Sequence, residues 1–454
     1  MAPREQLDLR VILKTWWPLA VSWLLMGVES PVISAVMARL AYPEINLAAY
    51  GGVVYPLALV IESPIIMLLA ASTALSKDWA SYLKIRRFMM VSGAILTALH
   101  ILLAFTPLYD VVIREIIGAP AEIIEPARLG LRVMLPWSWA IAYRRFHQGV
   151  MIRYGHSNAV WIGTIVRLMA DVVVLSVCYL MKTIPGAAMG AGTHALGVLS
   201  EAAYIGWRVQ PILRNDLRPA EPVPPLTWRA FANFYLPLVL TSLLSLLWQP
   251  IGSAAFSRMP QALSSLAVWP VLSGVTFVLR TFGMAYNEVV VALLSLPGSY
   301  AALKRFATLL TAGSGALHLL ISATPLAIFW FQKVSALPEP LAEMAYWGFW
   351  LSLPMTLLAV LQSWYQGAIL FGEKTRGIPE SVAVFFGVVL FLLGAGIVWG
   401  RIPGLYVGMG AFALATLVQV AWLWYRSRPV MRMVRERDAA SQVQPALAVE
   451  SLPD

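Results

Sequence analysis

The sequence predicts an all-α integral membrane protein of about twelve transmembrane helices, arranged as two pseudo-symmetric six-helix bundles. Three observations carry that expectation: recurring long apolar runs, an uneven placement of Lys and Arg between them, and an internal repeat. Fifty-nine percent of the 454 residues are hydrophobic and 12% are charged, with a mean hydropathy of +0.73. Soluble domains carry about 25% charged residues. The apolar runs are each long enough to cross a hydrocarbon core of about 30 Å.

Taken in order, the spans fall near 15–38, 47–72, 88–109, 129–150, 158–182, 185–208, 233–257, 264–294, 306–330, 344–370, 378–399 and 402–425. Of the 33 Lys and Arg, 23 lie in the N-terminal segment, the even-to-odd connections and the tail; eight lie on the opposite side, and Arg167 and Arg280 lie inside spans. Arg144, Arg145 and Arg153 count with the larger group. Positive charge marks the cytoplasmic side, so both termini are expected there, in a multi-pass protein of the plasma or inner membrane. The basic excess therefore sets topology and does not point to nucleic acid. No cleavable leader is expected, because Met1–Arg10 is polar and the first apolar run is too long for one. The single Cys178 excludes an intrachain disulfide framework.

One polar, proline-rich connection, PILRNDLRPAEPVPPLTWR (211–229), divides the spans into two sets of six. The expected organisation is an N-terminal lobe at 1–210, a cytoplasmic linker at 211–230, a C-terminal lobe at 231–427 and a disordered cytoplasmic tail at 428–454. The halves repeat. PVISAVMARL (31–40) matches PIGSAAFSRM (250–259) at an offset of 219, and LAAY (47–50) matches LAVW (266–269). At an offset of 218, ALHILLAFTPL (98–108) matches ALHLLISATPL (316–326), FHQG (146–149) matches WYQG (364–367), and IPGAAMG (184–190) matches IPGLYVG (402–408). Six spans per unit is an even number, so the repeat is parallel.

Two parallel six-helix bundles resemble the multidrug and toxin extrusion (MATE) transporters, within the MOP superfamily that also includes lipid-linked oligosaccharide flippases. More narrowly, AAYG (48–51), FYLPL (234–238), PIGSAAFSR (250–258), HQGVMIRYGHS (147–157) and GEKT (372–375) resemble the progressive ankylosis protein family. The resemblance implies a transporter with a central cavity, and in the narrower family export of pyrophosphate, nucleotide or citrate-like anions. Members of that family carry basic residues where this chain has Leu59 and Gln249, which argues against a polyanion.

The repeat separates scaffold from chemistry. Prolines, glycines and apolar positions recur, whereas intramembrane charges do not: Glu29 falls opposite Trp248, Glu62 opposite Arg280 or Thr281, Arg167 opposite Phe385, Asp171 opposite Val389 and Glu201 opposite Gln419. A charge at a helix centre costs about 2.5–3.5 kcal/mol on insertion scales, so it marks a cavity or a partner. Glu29 and Glu62 each stand in a Glu-Ser-Pro triplet. Pro31 and Pro64 bend their helices and free the carbonyls of Gly27 and Val60, as Pro250 does in the second half. A carboxyl beside a free carbonyl can hold a proton or Na⁺, so Glu29 and Glu62 are ion-coupling candidates, against the plainer reading of kinked helices with protonated glutamates. Asp171 and Thr193 join them, since with Glu29 they resemble the cation site of extrusion-type transporters.

Thr276, Arg280 and Asn287 share one face of the eighth span and read as cavity lining, with Gln249 and Arg167 as further substrate-cavity candidates. Arg167 and Asp171, one turn apart, read equally as a self-neutralising pair. Glu201 lies near a span end and reads as solvated. His100 and His318 occupy matching positions and read as scaffold, His147 as interfacial, and the tryptophans mostly as interface anchors. No P-loop, HExxH, CxxC or GxSxG occurs, so no enzyme, cofactor or metal site is expected. The reading is a monomeric secondary transporter (an exporter or antiporter) of a small molecule coupled to H⁺ or Na⁺, with a polyanion exporter, a lipid flippase and a non-transporting receptor or scaffold as alternatives.

Overall fold

The computed structural model describes residues 7–221, 224–372 and 376–450, with side chains through residue 440. Glu373, Lys374 and Thr375 of the GEKT string lie outside the described residues. The chain is built from α1 (Leu9–Met37), α2 (Pro43–Leu75), α3 (Trp79–Phe105), α4 (Ala121–Val133), α5 (Leu135–Arg153), α6 (Asn158–Met181), α7 (Gly186–Ile212), α8 (Trp228–Phe256), α9 (Ala262–Leu293), α10 (Ser299–Ala323), α11 (Glu339–Phe371), α12 (Gly377–Trp399) and α13 (Gly404–Glu450). No strand occurs among the described residues.

Ten of these helices are long and apolar enough to cross a membrane, among the described residues. The other two expected spans, 129–150 and 185–208, became α4–α5 and α7. They are less apolar for a physical reason: α5 and α7 hold Arg144, Arg145 and Glu201, and most of their residues are buried against neighbouring helices. A helix shielded from lipid by protein need not be apolar on its own.

The described residues form two compact units, Ile33–Pro270 and the segments before and after it. The repeat suggests a division at 211–230, but the units part inside α1 and α9. In the first unit α8 packs on α2, and Tyr235 Oη donates to the Pro64 carbonyl at 2.5 Å. In the second unit the start of α1 joins the core: Ile12, Trp16 and Ala20 pack with Tyr286, Val360 and Trp364, and Trp16 Nε1 donates to the Phe282 carbonyl at 3.0 Å.

Within the first unit α5 packs against α2, α3 and α7, and α7 packs against α4 and α6. Gly149 allows the α5–α2 approach, since a Cβ there would stand 2.4 Å from the Leu69 carbonyl oxygen. Its repeat partner Gly367 does the same for α11 on α9, with 2.7 Å to Val290.

The repeat extends to individual hydrogen bonds. His100 Nδ1 meets Ser138 Oγ at 3.2 Å, and His318 Nδ1 meets Thr356 Oγ1 at 2.9 Å, each pair 38 residues apart. Thr106 and Thr324 each return a hydroxyl to the carbonyl four residues back and accept the backbone N–H two residues on. Arg39 and Arg258 each donate to the carbonyl four residues back at 2.7 Å.

Residues 428–450 of the segment expected as a disordered tail instead continue α13; residues 451–454 lie outside the described residues. Val430 and Val434, one turn apart, bury into the second unit's core, and Arg437 donates to the carbonyls of Leu294, Ser295 and Leu296. Arg428, Arg432, Arg435 and Glu436 are exposed, while Arg437 and the buried Asp438 turn inward; composition alone reads such a charged stretch as an unstructured tail.

Candidate functional site

In the first unit the helices bring together a cluster of buried charges. Glu201 of α7 is fully buried and accepts from Arg144 Nη1 through Oε2 and from Gln148 Nε2 through Oε1 at 2.9 Å. Arg144 and Gln148 are one turn apart on α5, so both reach the same carboxylate. Arg167 Nε of α6 lies 3.8 Å from Glu201 Oε2. Arg145 feels the charges of Arg144, Glu62, Glu201 and Arg167. The set holds three guanidinium groups and, with Asp171, three carboxyls.

Glu201 and the neighbouring arginines correct two expectations. By sequence Arg144 and Arg145 count as connecting-segment charges, yet they sit inside α5, and Arg144 is buried. Glu201, expected to be solvated, is held by hydrogen bonds away from water. Similarly His147, read as interfacial, is buried, with its Nδ1 donating to the Tyr143 carbonyl at 2.9 Å and Nε2 facing Tyr82 Oη at 3.5 Å.

Glu62 of α2 is buried in the same unit, within the electrostatic reach of Arg144 and Arg145. Its Oε2 has no hydrogen-bond partner among the described residues. The carbonyl that Pro64 frees is occupied: Ser63 Oγ donates to the Val60 carbonyl at 2.8 Å. The serine of this triplet therefore caps the backbone defect that the proline creates, and the carboxyl beside it is left without a bond at one oxygen.

Asp171 of α6 is buried against α7 at Gly197, where a Cβ would stand 2.0 Å from Asp171 Oδ1 and 3.1 Å from Arg167 Cγ. Only glycine leaves room for that carboxylate. Thr193, one turn earlier on α7, is buried and donates to the Met189 carbonyl at 2.8 Å. Gln249, on α8, is half-buried and its carbonyl accepts from Ser253 Oγ at 3.2 Å.

The remaining candidates belong to the second unit. Gly27 of α1 lies against Phe277 and Thr281, and Pro31 against Gly274, so the turn carrying Glu29 packs beside the stretch of α9 that carries Thr276 and Arg280. Thr276 Oγ1 and Arg280 Nε are buried atoms without a hydrogen-bond partner among the described residues. Asn287 Nδ2 donates to the Ser363 carbonyl at 3.3 Å, a bond between α9 and α11. Pro31, Pro64 and Pro250 all lie inside helices that continue past them. Among the described residues no three His, Cys, Asp or Glu side chains are grouped to hold a metal.

The repeat shows how local this chemistry is. At the 218 offset the second half carries Gln362 for Arg144, Ser363 for Arg145, Phe385 for Arg167, Val389 for Asp171 and Gln419 for Glu201. Gln419 Nε2 reaches Ser381 Oγ at 3.5 Å, a neutral contact where the first half has charge.

No protein-family model matches the sequence, and no curated protein matches it by sequence. Solved structures do match. An inward-facing conformation of a multidrug resistance MATE family transporter of the MOP superfamily superposes with a TM-score of 0.69 at 15% identity, covering 92% of this chain and 98% of that one. A MOP superfamily transporter from Pyrococcus furiosus, described as having reversed polarity in its binding pocket, gives 0.61 at 16% identity over 94% and 97%. The inward closed conformation of lipid II flippase MurJ gives 0.60 at 13% identity over 94% and 93%. At these identities the likeness establishes the fold: this is a multi-pass membrane chain of MATE-like architecture. None of these likenesses bears on the progressive ankylosis family.

Proposed function

We propose that the chain is a secondary transporter that moves a small molecule across a cell membrane by alternating access, coupled to H⁺ or Na⁺. The observation that carries the reading is Glu62: a buried carboxyl with one unpartnered oxygen, within the electrostatic reach of Arg144 and Arg145, at a position where the other half carries no carboxyl. A buried carboxyl is costly to hold ionised, and uptake of a proton or a cation relieves that cost, so such a group is suited to exchange one during a cycle. The fixed Arg144–Glu201–Gln148 bonds give it a rigid polar surround. Asp171 and Thr193, on adjoining faces of α6 and α7, form the second coupling position. Likeness to MATE transporters in more than one conformation supports the same class. The lobes at 1–210 and 231–427, cytoplasmic termini and a monomeric state are part of this proposal.

A polyanion exporter is the second reading, favoured by the two arginines beside Glu62. The test is transport in proteoliposomes against a panel of cations, zwitterions, citrate, pyrophosphate and nucleotides, with and without a pH or Na⁺ gradient. Glu62→Gln is expected to abolish gradient-driven movement while leaving folding intact. Normal gradient-driven transport by that variant would overturn the coupling role, and selective movement of polyanions would promote the second reading.

A further inference from the structure

Between α10 and α11, in the second unit, runs a groove of about 550 Å³ walled by Thr311, Gly315, Leu319, Leu357 and Leu361. It continues into a cleft of about 570 Å³, the two sharing Lys304 and Thr308. Arg305 and Arg435 complete the cationic side of that cleft. Among the described residues none of these three cations is in an ion pair. The cleft also contains Asp438, but its carboxylate is already taken, by Arg437 at 2.7 Å and by the backbone N–H of Tyr300 at 2.9 Å. The result is a positively charged mouth opening on an apolar channel.

The channel's length has a physical match. Thr308 to Leu319 covers about 16 Å of helix at ~1.5 Å per residue. One leaflet of a bilayer core of about 30 Å is nearly the same. We propose that this groove holds a membrane phospholipid with an anionic headgroup, its phosphate on Lys304, Arg305 and Arg435 and one acyl chain between α10 and α11.

The other half of the molecule supplies the control. The counterparts of Tyr300, Lys304, Leu357 and Leu361 are Tyr82, Arg86, Trp139 and Tyr143. There Trp139 and Tyr143 stack at 5.5 Å, filling with aromatic rings the path that the leucines leave open. The cavity by Arg86 is smaller, about 280 Å³, and is lined mostly by aromatic and charged side chains, Tyr82, Tyr143, His147, Arg214 and Arg218 among them, with Leu213 as its one aliphatic residue. Duplication kept the cation and the tyrosine in both halves, and only one half kept an apolar channel behind them.

Native mass spectrometry of the detergent-purified protein tests this, with phosphatidylglycerol, phosphatidylcholine and tail-less glycerophosphoglycerol as probes. One phosphatidylglycerol per chain is expected to be retained in preference to phosphatidylcholine, and the tail-less compound is expected not to displace it. The pair Leu357→Trp and Leu361→Tyr transplants the filled packing and should remove the retained lipid. Lys304→Gln with Arg305→Gln and Arg435→Gln, all exposed positions that folding tolerates, should lower the preference for the anionic lipid roughly tenfold or more. Equal retention of both lipids by the unaltered chain would overturn the proposal, as would displacement by the tail-less compound, which marks a soluble-anion site. Retention unchanged in the charge variants would also overturn it. Closing of the groove by a second copy of the chain, seen as a dimer mass without lipid, would replace it.

Discussion

His100 and His318 make matching bonds in the two halves, while Glu201 and Gln419, equally matched in position, do opposite things. The first pair spans 38 residues to Ser138 or Thr356 in each half. The second pair differs in charge: Glu201 holds Arg144, Gln148 and Arg167, and Gln419 makes a 3.5 Å contact to Ser381. Helix-to-helix bonds that place the backbone are duplicated. The Arg144–Glu201–Arg167 cluster has no charged counterpart in the second half, where Gln362, Gln419 and Phe385 stand at the matching positions; each buried charge needs its own partners, so a cluster of this kind is lost or kept as a set.

The largest effect should come from breaking that asymmetry at its centre. Arg144→Ala leaves the buried Glu201 carboxylate without its closest cation, and losing one partner of such a pair costs about 3–5 kcal/mol. Gln419→Ala, at the matching position, removes a weak neutral contact and should cost no more than about 1 kcal/mol. Thermal unfolding in detergent compares the two directly. Equal losses would mean that the charge cluster carries no special burden in the first unit.

A smaller effect tests packing around Asp171. Its counterpart is Val389, and the counterpart of the facing Gly197 is Ala415. Gly197→Ala drives a methyl to 2.0 Å from Asp171 Oδ1 and should destabilise by about 1–3 kcal/mol. Adding Asp171→Val recreates the second half's pairing and should recover part of the loss, with a coupling of about 0.5–3 kcal/mol in a double-mutant cycle. Strict additivity would show that the glycine is not there for the carboxylate.

This difference also marks how far the chain could be read without coordinates. Span lengths, the repeat and the proline positions are periodic features, and they carry through to α1–α13. The partners of Glu201 are not periodic. Arg144 and Arg145 lie two turns before the end of α5, a depth at which arginine in a basic chain reads as a topology signal. Their burial depends on α7, some 50 residues away. The signal that marks them is the Arg144–Gln148 spacing, which puts a cation and an amide on one face of α5. Ser63 is legible in the same way, since a hydroxyl beside a proline can cap the carbonyl that the proline frees. The α13 extension was hidden by composition: the apolar signal of Val430, Met431, Met433 and Val434 is interleaved with many arginines.

A still smaller effect separates the two histidines. His318 Nε2 donates to the Phe349 carbonyl at 3.1 Å, so its Nδ1 is left to accept from Thr356. His100 Nε2 is turned to the carbonyl of Leu131, the counterpart of Phe349, without closing a hydrogen bond of good geometry. His318→Ala should therefore cost more than His100→Ala by one hydrogen bond, about 1 kcal/mol. Equal melting shifts would show that the first half closes the same bond in solution.

The smallest effect lies outside the membrane, where the halves differ in surface charge. Asp110 bonds Arg114 Nε and Arg128 Nη2, both at 2.9 Å, whereas its counterpart is Ile328. The Arg114 hydrogen bond, with Arg128 beside it, holds the Asp110 carboxyl below its ordinary range. A carboxyl lowered in the folded chain binds its proton less readily there than when unfolded, so the contribution is present above the ordinary carboxylate pKa of about 4 and fades as pH falls through the lowered value. Asp110→Asn should therefore lower the melting temperature slightly near neutral pH and not at all in strong acid. The groups are exposed, so added salt should shrink the difference at neutral pH as well. A difference that survives both acid and salt would mean that Asp110 holds the turn after α3 by shape and hydrogen bonding, as Thr106 does, and not by its charge.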